Sequence, residues 1–193
     1  MNKPELRKFM RARLAALSPE DIQQKSQRIT THLFASDWWQ QAEIVFAFCS
    51  MPGEVETRDL IQAALDQGKQ VGLPRITGAD LIFHHLTQID QEFVQHSYGI
   101  LEPAESWPVL NPCHLAGQRL LIITPGLAYS RQKYRLGRGK GFYDRFFANL
   151  NACSGVNAFR LGLCFSEQLL DNIPVRPYDL PVDAVITEQE TLL

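Results

Sequence analysis

Short, largely apolar runs alternate with amphipathic helical segments along most of this chain. The runs predict buried strands at 44–48, 70–75, 81–86, 120–124, 160–165 and 184–187. Helical periodicity predicts helices at 4–17 and 19–34 before the first strand and at 57–67 between the first two. The proline-containing stretch 92–112 is predicted to be irregular. Strands that are apolar throughout need cover on both faces, which helices on a mainly parallel sheet provide. The alternation therefore predicts an α/β fold of that kind.

Length and composition favour one globular unit. A chain of 193 residues with 45% hydrophobic content can bury one sizeable core and is too short for two independent ones, so residues 1–193 are predicted to form a single domain. No apolar run approaches bilayer length, and the first residues alternate charge with hydrophobes instead of showing a signal-peptide core. We therefore expect a soluble, cytoplasmic protein.

The segment 131–145, RQKYRLGRGKGFYDR, is the strongest functional signal. It combines three alternate glycines with six cationic side chains and a single acid, Asp144. Aromatic residues then recur at helical spacing, so the glycines are predicted to open a helix. Glycine lets backbone N–H groups approach a ligand, and a helix N-terminus favours anions. The segment thus predicts a phosphate site.

Two other interpretations of this segment stay open at the level of spacing alone. It has neither the GK[ST] of a Walker A loop nor the full dinucleotide fingerprint, so it could be a solvated basic loop capping a core helix. Nucleic-acid binding through cations and interleaved aromatics is a further alternative. A formal net charge of -2 argues against the broad basic face that this alternative requires.

In mainly parallel sheets, ligands bind beyond the carboxyl ends of the strands. The segments that follow three of the predicted strands are 50–56, 125–141 and 167–178. We expect the functional site among these loops.

The cysteines and histidines give no metal-binding pattern. Spacing suited to a zinc site is absent, so the cysteines are predicted to be reduced structural thiols. His84 and His85 are neighbours in a predicted strand and cannot easily face one metal. All five histidines are left without a role. The four cysteines are Cys49, Cys113, Cys153 and Cys164.

Seven ordered motifs, spread over nearly the whole chain, resemble those of the 5-formyltetrahydrofolate cyclo-ligase family. They are KPELR (3–7), FCSMPGEVET (48–57), LPR (73–75), YGILEP (98–103), ITPGLAY (123–129), RLGRGKGFYDR (135–145) and YDLPVDAVITE (178–188). The resemblance implies a three-layer αβα sandwich with a mainly parallel central sheet. It also implies ATP-dependent conversion of 5-formyltetrahydrofolate to 5,10-methenyltetrahydrofolate, with release of ADP and phosphate.

Site residues carry over from the resemblance by position. The ATP-binding positions are Lys3, Arg7, Arg135, Leu136, Gly137, Arg138, Gly139, Lys140, Gly141, Phe142 and Tyr143. The substrate-binding positions are Cys49, Glu54, Arg138, Gly139, Lys140, Gly141 and Phe142. Asp144 would hold Mg²⁺, and Asp183 is a weaker candidate for a second carboxylate. The implied partners are small molecules, with no nucleic acid and no membrane, and a monomer is expected.

Within that scheme Lys140 and Arg138 would be catalytic and would meet the γ-phosphate, while Lys3 and Arg7 would meet the outer phosphates. Each role has a structural rival. Lys3, Arg7 and Arg11 recur every four residues as a cationic stripe and could simply lie on the wet side of a helix. Glu54 could simply lie in a turn. Trp107 could stack on the pterin or aminobenzoyl ring, or simply pack.

The chain departs from the common family pattern at two places that bear on function. Ala128-Tyr129-Ser130 replaces a frequent Phe-Asp, and Phe142 replaces a common tyrosine. Two other functions compete with cyclo-ligase activity. A sugar-phosphate or coenzyme A enzyme of related architecture would not turn over ATP, and an RNA-binding module would show salt-dependent binding without chemistry.

Overall fold

The computed structural model describes residues 1–96 and 99–193, which form five α-helices and twelve strands. The helices are α1 (Lys3–Ala15), α2 (Pro19–Phe34), α3 (Asp37–Gln41), α4 (Arg58–Asp66) and α5 (Phe142–Asn151). The first six strands are β1 (Ile44–Phe46), β2 (Gln70–Thr77), β3 (Asp80–Leu86), β4 (Phe93–Gln95), β5 (Leu101–Pro103) and β6 (Arg119–Thr124). The others are β7 (Ala128–Ser130), β8 (Arg135–Leu136), β9 (Asn157–Leu163), β10 (Leu169–Leu170), β11 (Ala184–Ile186) and β12 (Thr191–Leu192).

Seven of these strands form the central sheet, in the order β12-β11-β9-β6-β1-β2-β3. The five inner strands, from β11 to β2, pair in parallel, and only the edge strands β3 and β12 are antiparallel to their neighbours. The mainly parallel sheet predicted from the apolar runs is therefore confirmed.

Side chains alternate between two cores on opposite faces of the sheet. In β1, Val45 joins the core formed with α1, α2, α3 and α4, whereas Ile44 and Phe46 join the core formed with α5. All three are fully buried. Because successive side chains of a strand point to opposite faces, a short strand that is apolar throughout requires helices on both sides. The three-layer arrangement follows from this double burial.

The first two helices each begin at a capping box. Asn2 accepts a hydrogen bond from Glu5 N, and Ser18 accepts one from Asp21 N, each in a capping box. Proline follows Ser18 directly and lies two positions after Asn2, within the first turn of each helix. Leu6, Met10 and Leu14 place the buried face of α1 on the sheet. This docking brings the N-terminal segment across to the loops that follow the strands.

The structure corrects two sequence-based predictions. The stretch 92–112 is not wholly irregular, because β4 and β5 pair as an antiparallel hairpin. Cys113 and Cys153 are joined in a disulfide, with Cα atoms 4.9 Å apart, so the prediction of four reduced thiols is wrong for this pair. Folding brings the loop before β6 beside the end of α5, where the backbone N–H of Gly117 also donates to the carbonyl of Gly155.

Cys49 and Cys164 are free thiols, as predicted. Tyr98, the first residue of the YGILEP motif, lies outside the described residues. Within the described part of the chain, no helix has the length and apolar character needed to cross a bilayer.

Candidate functional site

A cavity of about 340 Å³ lies beyond the carboxyl ends of β1 and β6, neighbouring parallel strands at the centre of the sheet. The chain continues from β1 to β2 on one side and later returns as β6 on the other side. In folds of this type, ligands bind at the point where the strand order reverses in this way. Segments from five parts of the chain line it. The lining residues are Phe48, Cys49, Met51, Glu54, Pro74, Ile76, Leu81, Ile100, Glu102, Pro125, Gly126, Arg135, Gly137, Arg138, Lys140, Gly141, Phe142, Tyr143 and Asp144.

The N-terminus of α5 borders this cavity. Gly141 precedes the helix with a φ of 69°, a left-handed conformation that favours glycine, and no side chain caps the first turn. Phe142, Tyr143 and Asp144 of that turn all line the cavity. The uncapped backbone donors and the helix dipole together favour an anion here.

Arg135 and Tyr143 present buried polar groups at the cavity. The Arg135 side chain is 3% exposed, and its Nη2 donates to Asp144 Oδ1 over 3.0 Å. Its guanidinium lies over the Tyr143 ring, 5.3 Å from the centroid. Within the described residues, neither Arg135 Nη1 nor the Tyr143 hydroxyl has a hydrogen-bond partner. Burial raises the pKa of Tyr143, so its hydroxyl remains a donor. Two unmatched donors beside a cavity indicate a polar ligand.

An ion pair joins the glycine loop to the segment after β1. Arg138 Nη2 lies 2.7 Å from Glu54 Oε1, and Glu54 Oε2 accepts from the Met51 backbone N–H over 3.0 Å. The Glu54 side chain is 9% exposed, so it is a buried part of the wall and does not decorate a surface turn. Cys49 lies on the same wall. Burial, with a smaller contribution from the charge of Glu102, raises the pKa of Cys49 to about 11.

The cationic stripe of α1 divides between two environments. Arg7 Nε donates to the Gly137 carbonyl over 2.9 Å. A Cβ atom built on Gly139, whose φ is 115°, would lie 3.4 Å from Arg7 Cζ. Lys3 forms a buried ion pair with Asp179 at 2.5 Å, whereas Arg11 is exposed. The wet-face interpretation therefore fails for Lys3 and Arg7, which pack inward, and holds for Arg11.

Several predicted site residues do not line the cavity. Lys3, Arg7, Leu136 and Gly139 are not among its lining residues, and Leu136 is fully buried. Asp183 does not line the cavity either, and its Oδ2 accepts a hydrogen bond from the Arg160 backbone N–H over 2.7 Å. The structure thus gives Asp183 a structural task at β9 and does not bring it to Asp144.

Trp107 is also absent from the cavity lining. It is 8% exposed, and its ring meets the edge of Phe93 with centroids 5.4 Å apart. Its carbonyl oxygen is 2.8 Å from Nδ1 of the buried His84. These contacts support the packing interpretation of Trp107 and give His84 a structural partner.

The six cations of segment 131–145 do not form one face. Arg131 pairs with Glu190, Lys133 donates to the Asp183 carbonyl, and Arg145 donates to the Ala79 carbonyl. Arg135 is buried, whereas Arg138 and Lys140 are exposed at the cavity. The charge density that the sequence displays is therefore dispersed, which argues against a nucleic-acid surface.

One acid of the cavity has no role from sequence reasoning. Glu102 lies in the quoted motif YGILEP, is 3% exposed and lines the cavity from β5. In the sequence, Glu102 is only an acidic residue within a short strand. That pattern does not predict a functional role unless the surface that the strand faces is known. Apolar residues of β2 and β3 complete that part of the wall: Pro74, Ile76 and Leu81.

Over residues 1–96 and 99–193, no three His, Cys, Asp or Glu side chains cluster in a way that could hold a metal ion. Asp144 brings a carboxylate to the first turn of α5, and its Oδ2 accepts no hydrogen bond from the described residues. One open carboxylate oxygen beside an anion site fits Mg²⁺, which keeps several waters and is bound through one or two carboxylates plus phosphate oxygens.

Comparisons with known proteins point to one family. Residues 1–188 match the model of the 5-formyltetrahydrofolate cyclo-ligase family. A relative from Caenorhabditis elegans, named probable 5-formyltetrahydrofolate cyclo-ligase, is 33% identical and aligned over 99% of this chain and 95% of its own length. The 5-formyltetrahydrofolate cyclo-ligase of Escherichia coli strain K12 is 31% identical over 93% of this chain and 96% of its own.

Among solved structures, the NMR structure of 5,10-methenyltetrahydrofolate synthetase from Aquifex aeolicus superimposes with a TM-score of 0.80. It is 28% identical, and the match covers 99% of this chain and 92% of that one. With a family match over nearly its full length and relatives of the same extent, the chain belongs to the 5-formyltetrahydrofolate cyclo-ligase family.

Proposed function

We propose that this protein cyclises 5-formyltetrahydrofolate to 5,10-methenyltetrahydrofolate with cleavage of ATP to ADP and phosphate. The proposal rests on one observation: residues predicted to bind ATP and residues predicted to bind the folate substrate line the same cavity. Cys49 and Glu54 line it from the segment after β1, and Arg138 and Lys140 line it from the glycine loop. Family membership supports the activity. We keep the expectation of a cytoplasmic monomer as part of the proposal.

The triphosphate would lie at the glycine loop and the start of α5. Uncapped backbone donors, the unmatched Arg135 Nη1 and the exposed Lys140 all favour phosphate oxygens at that end. Arg7 would act through the loop, since it holds the Gly137 carbonyl. Lys3, already paired with Asp179, would anchor α1 beside the loop.

Mg²⁺, when bound, would neutralise phosphate charge during the transfer, and Asp144 would hold it through Oδ2. Arg135 fixes the other oxygen of the same carboxylate at 3.0 Å. Its pairing would set the direction in which Asp144 faces the phosphates.

The folate would occupy the apolar part of the cavity. Phe48, Pro74, Ile76 and Leu81 supply flat and aliphatic surface there, which suits an aromatic ring system. Phe142, in place of a tyrosine, adds apolar surface at the junction with the glycine loop. Cys49 would contact the substrate as a neutral thiol, because its raised pKa of about 11 keeps it protonated at neutral pH.

The proposed chemistry proceeds by activation of the formyl oxygen. That oxygen attacks the γ-phosphorus of ATP, the bond from the γ-phosphorus to the β,γ-bridging oxygen breaks, and ADP leaves. N10 then attacks the formyl carbon, the carbon–oxygen bond breaks, phosphate leaves and the N10 proton is released. Lys140 and Arg138 would balance the charge on the transferred phosphoryl group, and the cavity would align the reacting atoms.

The direct test is incubation of the protein with 5-formyltetrahydrofolate and Mg²⁺, with and without ATP. The proposal expects the absorbance of the methenyl product to appear only with ATP, with one ADP formed per methenyl group. Product formation without ATP, or ATP consumption without product, would contradict it.

A further inference from the structure

We propose that Glu102 recognises the amino-pyrimidine edge of the pterin and thereby selects the folate substrate. This inference rests on the proposed function, because it places one part of that substrate at one wall of the same cavity. The starting observation is that the Glu102 carboxylate has no charged partner among the described residues, and that only one of its two oxygens accepts a hydrogen bond from them.

Two hydrogen bonds between β5 and β2 hold Glu102 in place. The Ile76 backbone N–H donates to Glu102 Oε1 over 3.0 Å, and Arg75 Nη1 donates to the Pro103 carbonyl over 2.7 Å. The Glu102 residue is 3% exposed and lines the cavity. Its carboxylate is therefore fixed in a buried position, which is the condition for selective recognition.

This carboxylate lacks a cation. No Lys, Arg or His of the described residues forms an ion pair with Glu102, and its Oε2 accepts no hydrogen bond from them. The other two acids at the cavity differ, since Glu54 pairs with Arg138 and Asp144 pairs with Arg135. A buried carboxylate without a charged partner is costly, so a ligand that supplies N–H donors would lower its free energy.

The pterin carries the donors that such a carboxylate needs. Its 2-amino group and N3–H point in the same direction, as two parallel donors of one planar edge, and a carboxylate accepts such a pair in the manner it accepts a guanidinium fork. Adenine fits less well, because its amino group lies beside ring acceptors that would face a carboxylate oxygen. Phosphate is excluded from this wall by charge.

The neighbours of Glu102 agree with a flat ring. Pro74, Ile76, Leu81 and Ile100 line the cavity around it and provide apolar contact for the ring faces. A small number of placed polar groups within an apolar wall is the usual composition of a specific small-molecule site.

Glu102→Gln is the variant that tests this role. The Gln side chain keeps an oxygen that can accept from Ile76 N, but it presents an amide donor to the donors of the pterin. We expect KM for 5-formyltetrahydrofolate to rise roughly 10- to 100-fold and KM for ATP to stay unchanged. Glu105→Gln is the matched control, because Glu105 is exposed and lies outside the cavity lining.

A substrate analogue without the 2-amino group separates recognition from a structural effect. The wild-type protein should show a higher KM for 2-desamino-5-formyltetrahydrofolate than for the normal substrate, by a similar factor. In Glu102→Gln this difference should disappear, because the partner of the amino group is gone.

Two results would overturn the role of Glu102. One is an unchanged KM for 5-formyltetrahydrofolate in Glu102→Gln. The other is a discrimination against the analogue that is equal in variant and wild type. Both leave the proposed function intact, since the wild-type protein still forms the methenyl product. Absence of product in the wild type with ATP present would instead overturn the proposed function, and the assignment of Glu102 with it.

Discussion

Arg138 and Glu54, which are 84 residues apart in sequence, form an ion pair of 2.7 Å across the cavity wall. The pair links the glycine loop to the segment after β1, so the residues assigned to ATP and to folate are mechanically connected. Glu54 is 9% exposed and Arg138 is 42% exposed, which leaves the cation accessible to a ligand while the acid stays fixed.

A double-mutant cycle with Glu54→Gln and Arg138→Met measures this connection. Each single variant should lower kcat/KM, and the double variant should lose less than the sum of the two. We expect a coupling of about 1 kcal/mol, because solvent screens the exposed end of the pair. Initial rates of methenyl formation give the four values. Strictly additive losses would mean that the two side chains act independently in catalysis.

Lys140→Ala should lower kcat for ATP-dependent methenyl formation by roughly 100-fold or more, with little change in the melting temperature. The reason is that Lys140 is exposed at the cavity beside the uncapped turn of α5, where the phosphoryl group would gain charge. Lys8→Ala is a matched control, since Lys8 is an exposed lysine of α1 outside the cavity lining. Wild-type turnover in Lys140→Ala would remove this residue from the mechanism.

Asp144→Asn should raise the Mg²⁺ concentration needed for half-maximal activity and should also lower the free energy of unfolding. The second effect follows because Arg135, 3% exposed, would lose the partner of its charge. Asp59→Asn is the control, as Asp59 lies in the first turn of α4 and is exposed. Magnesium titrations of the rate and thermal melts check the two effects separately. Unchanged metal dependence would show that another group holds the ion.

Much of the fold could be predicted because its information is local. The apolar runs predict the strands of the central sheet other than β12, and helical periodicity predicts the first two helices, within a few residues. Short strands such as β8 and β10 escaped prediction, since two residues carry no periodicity.

The candidate site could be predicted only in part. The glycine loop can be recognised from its composition alone. The pairing of Lys3 with Asp179 cannot, because these residues are 176 positions apart and no local sequence pattern predicts their contact. The surroundings of Asp183 could not be predicted for the same reason, because its carboxylate accepts from the Arg160 backbone N–H on the neighbouring strand β9. Glu102 gains significance only from the cavity that it faces.

The Cys113–Cys153 disulfide should stabilise the fold without serving catalysis. It closes a loop over a sequence separation of 40, for which loop entropy predicts a stabilisation of up to about 4 kcal/mol. Cys113→Ser should lower the free energy of unfolding and leave KM for both substrates unchanged. Dithiothreitol should lower the stability of the wild type and not that of the variant. Equal stability of the two oxidised proteins would show that the bond does not form in solution.

Cys49 should react slowly with iodoacetamide in the folded protein. Burial raises its pKa from 9.0 to about 11, and since the thiolate is the reactive form, its population at pH 8 falls roughly a hundredfold. The alkylation rate should therefore climb with pH until about 11, whereas in the unfolded chain it should level off near 9. Bound 5-formyltetrahydrofolate should slow the reaction further, because Cys49 lines the cavity. Mass spectrometry of the Cys49 peptide follows the rate, with the Cys49→Ser variant as the blank. Rapid labelling at pH 8 that the substrate does not slow would place this thiol outside the folate site.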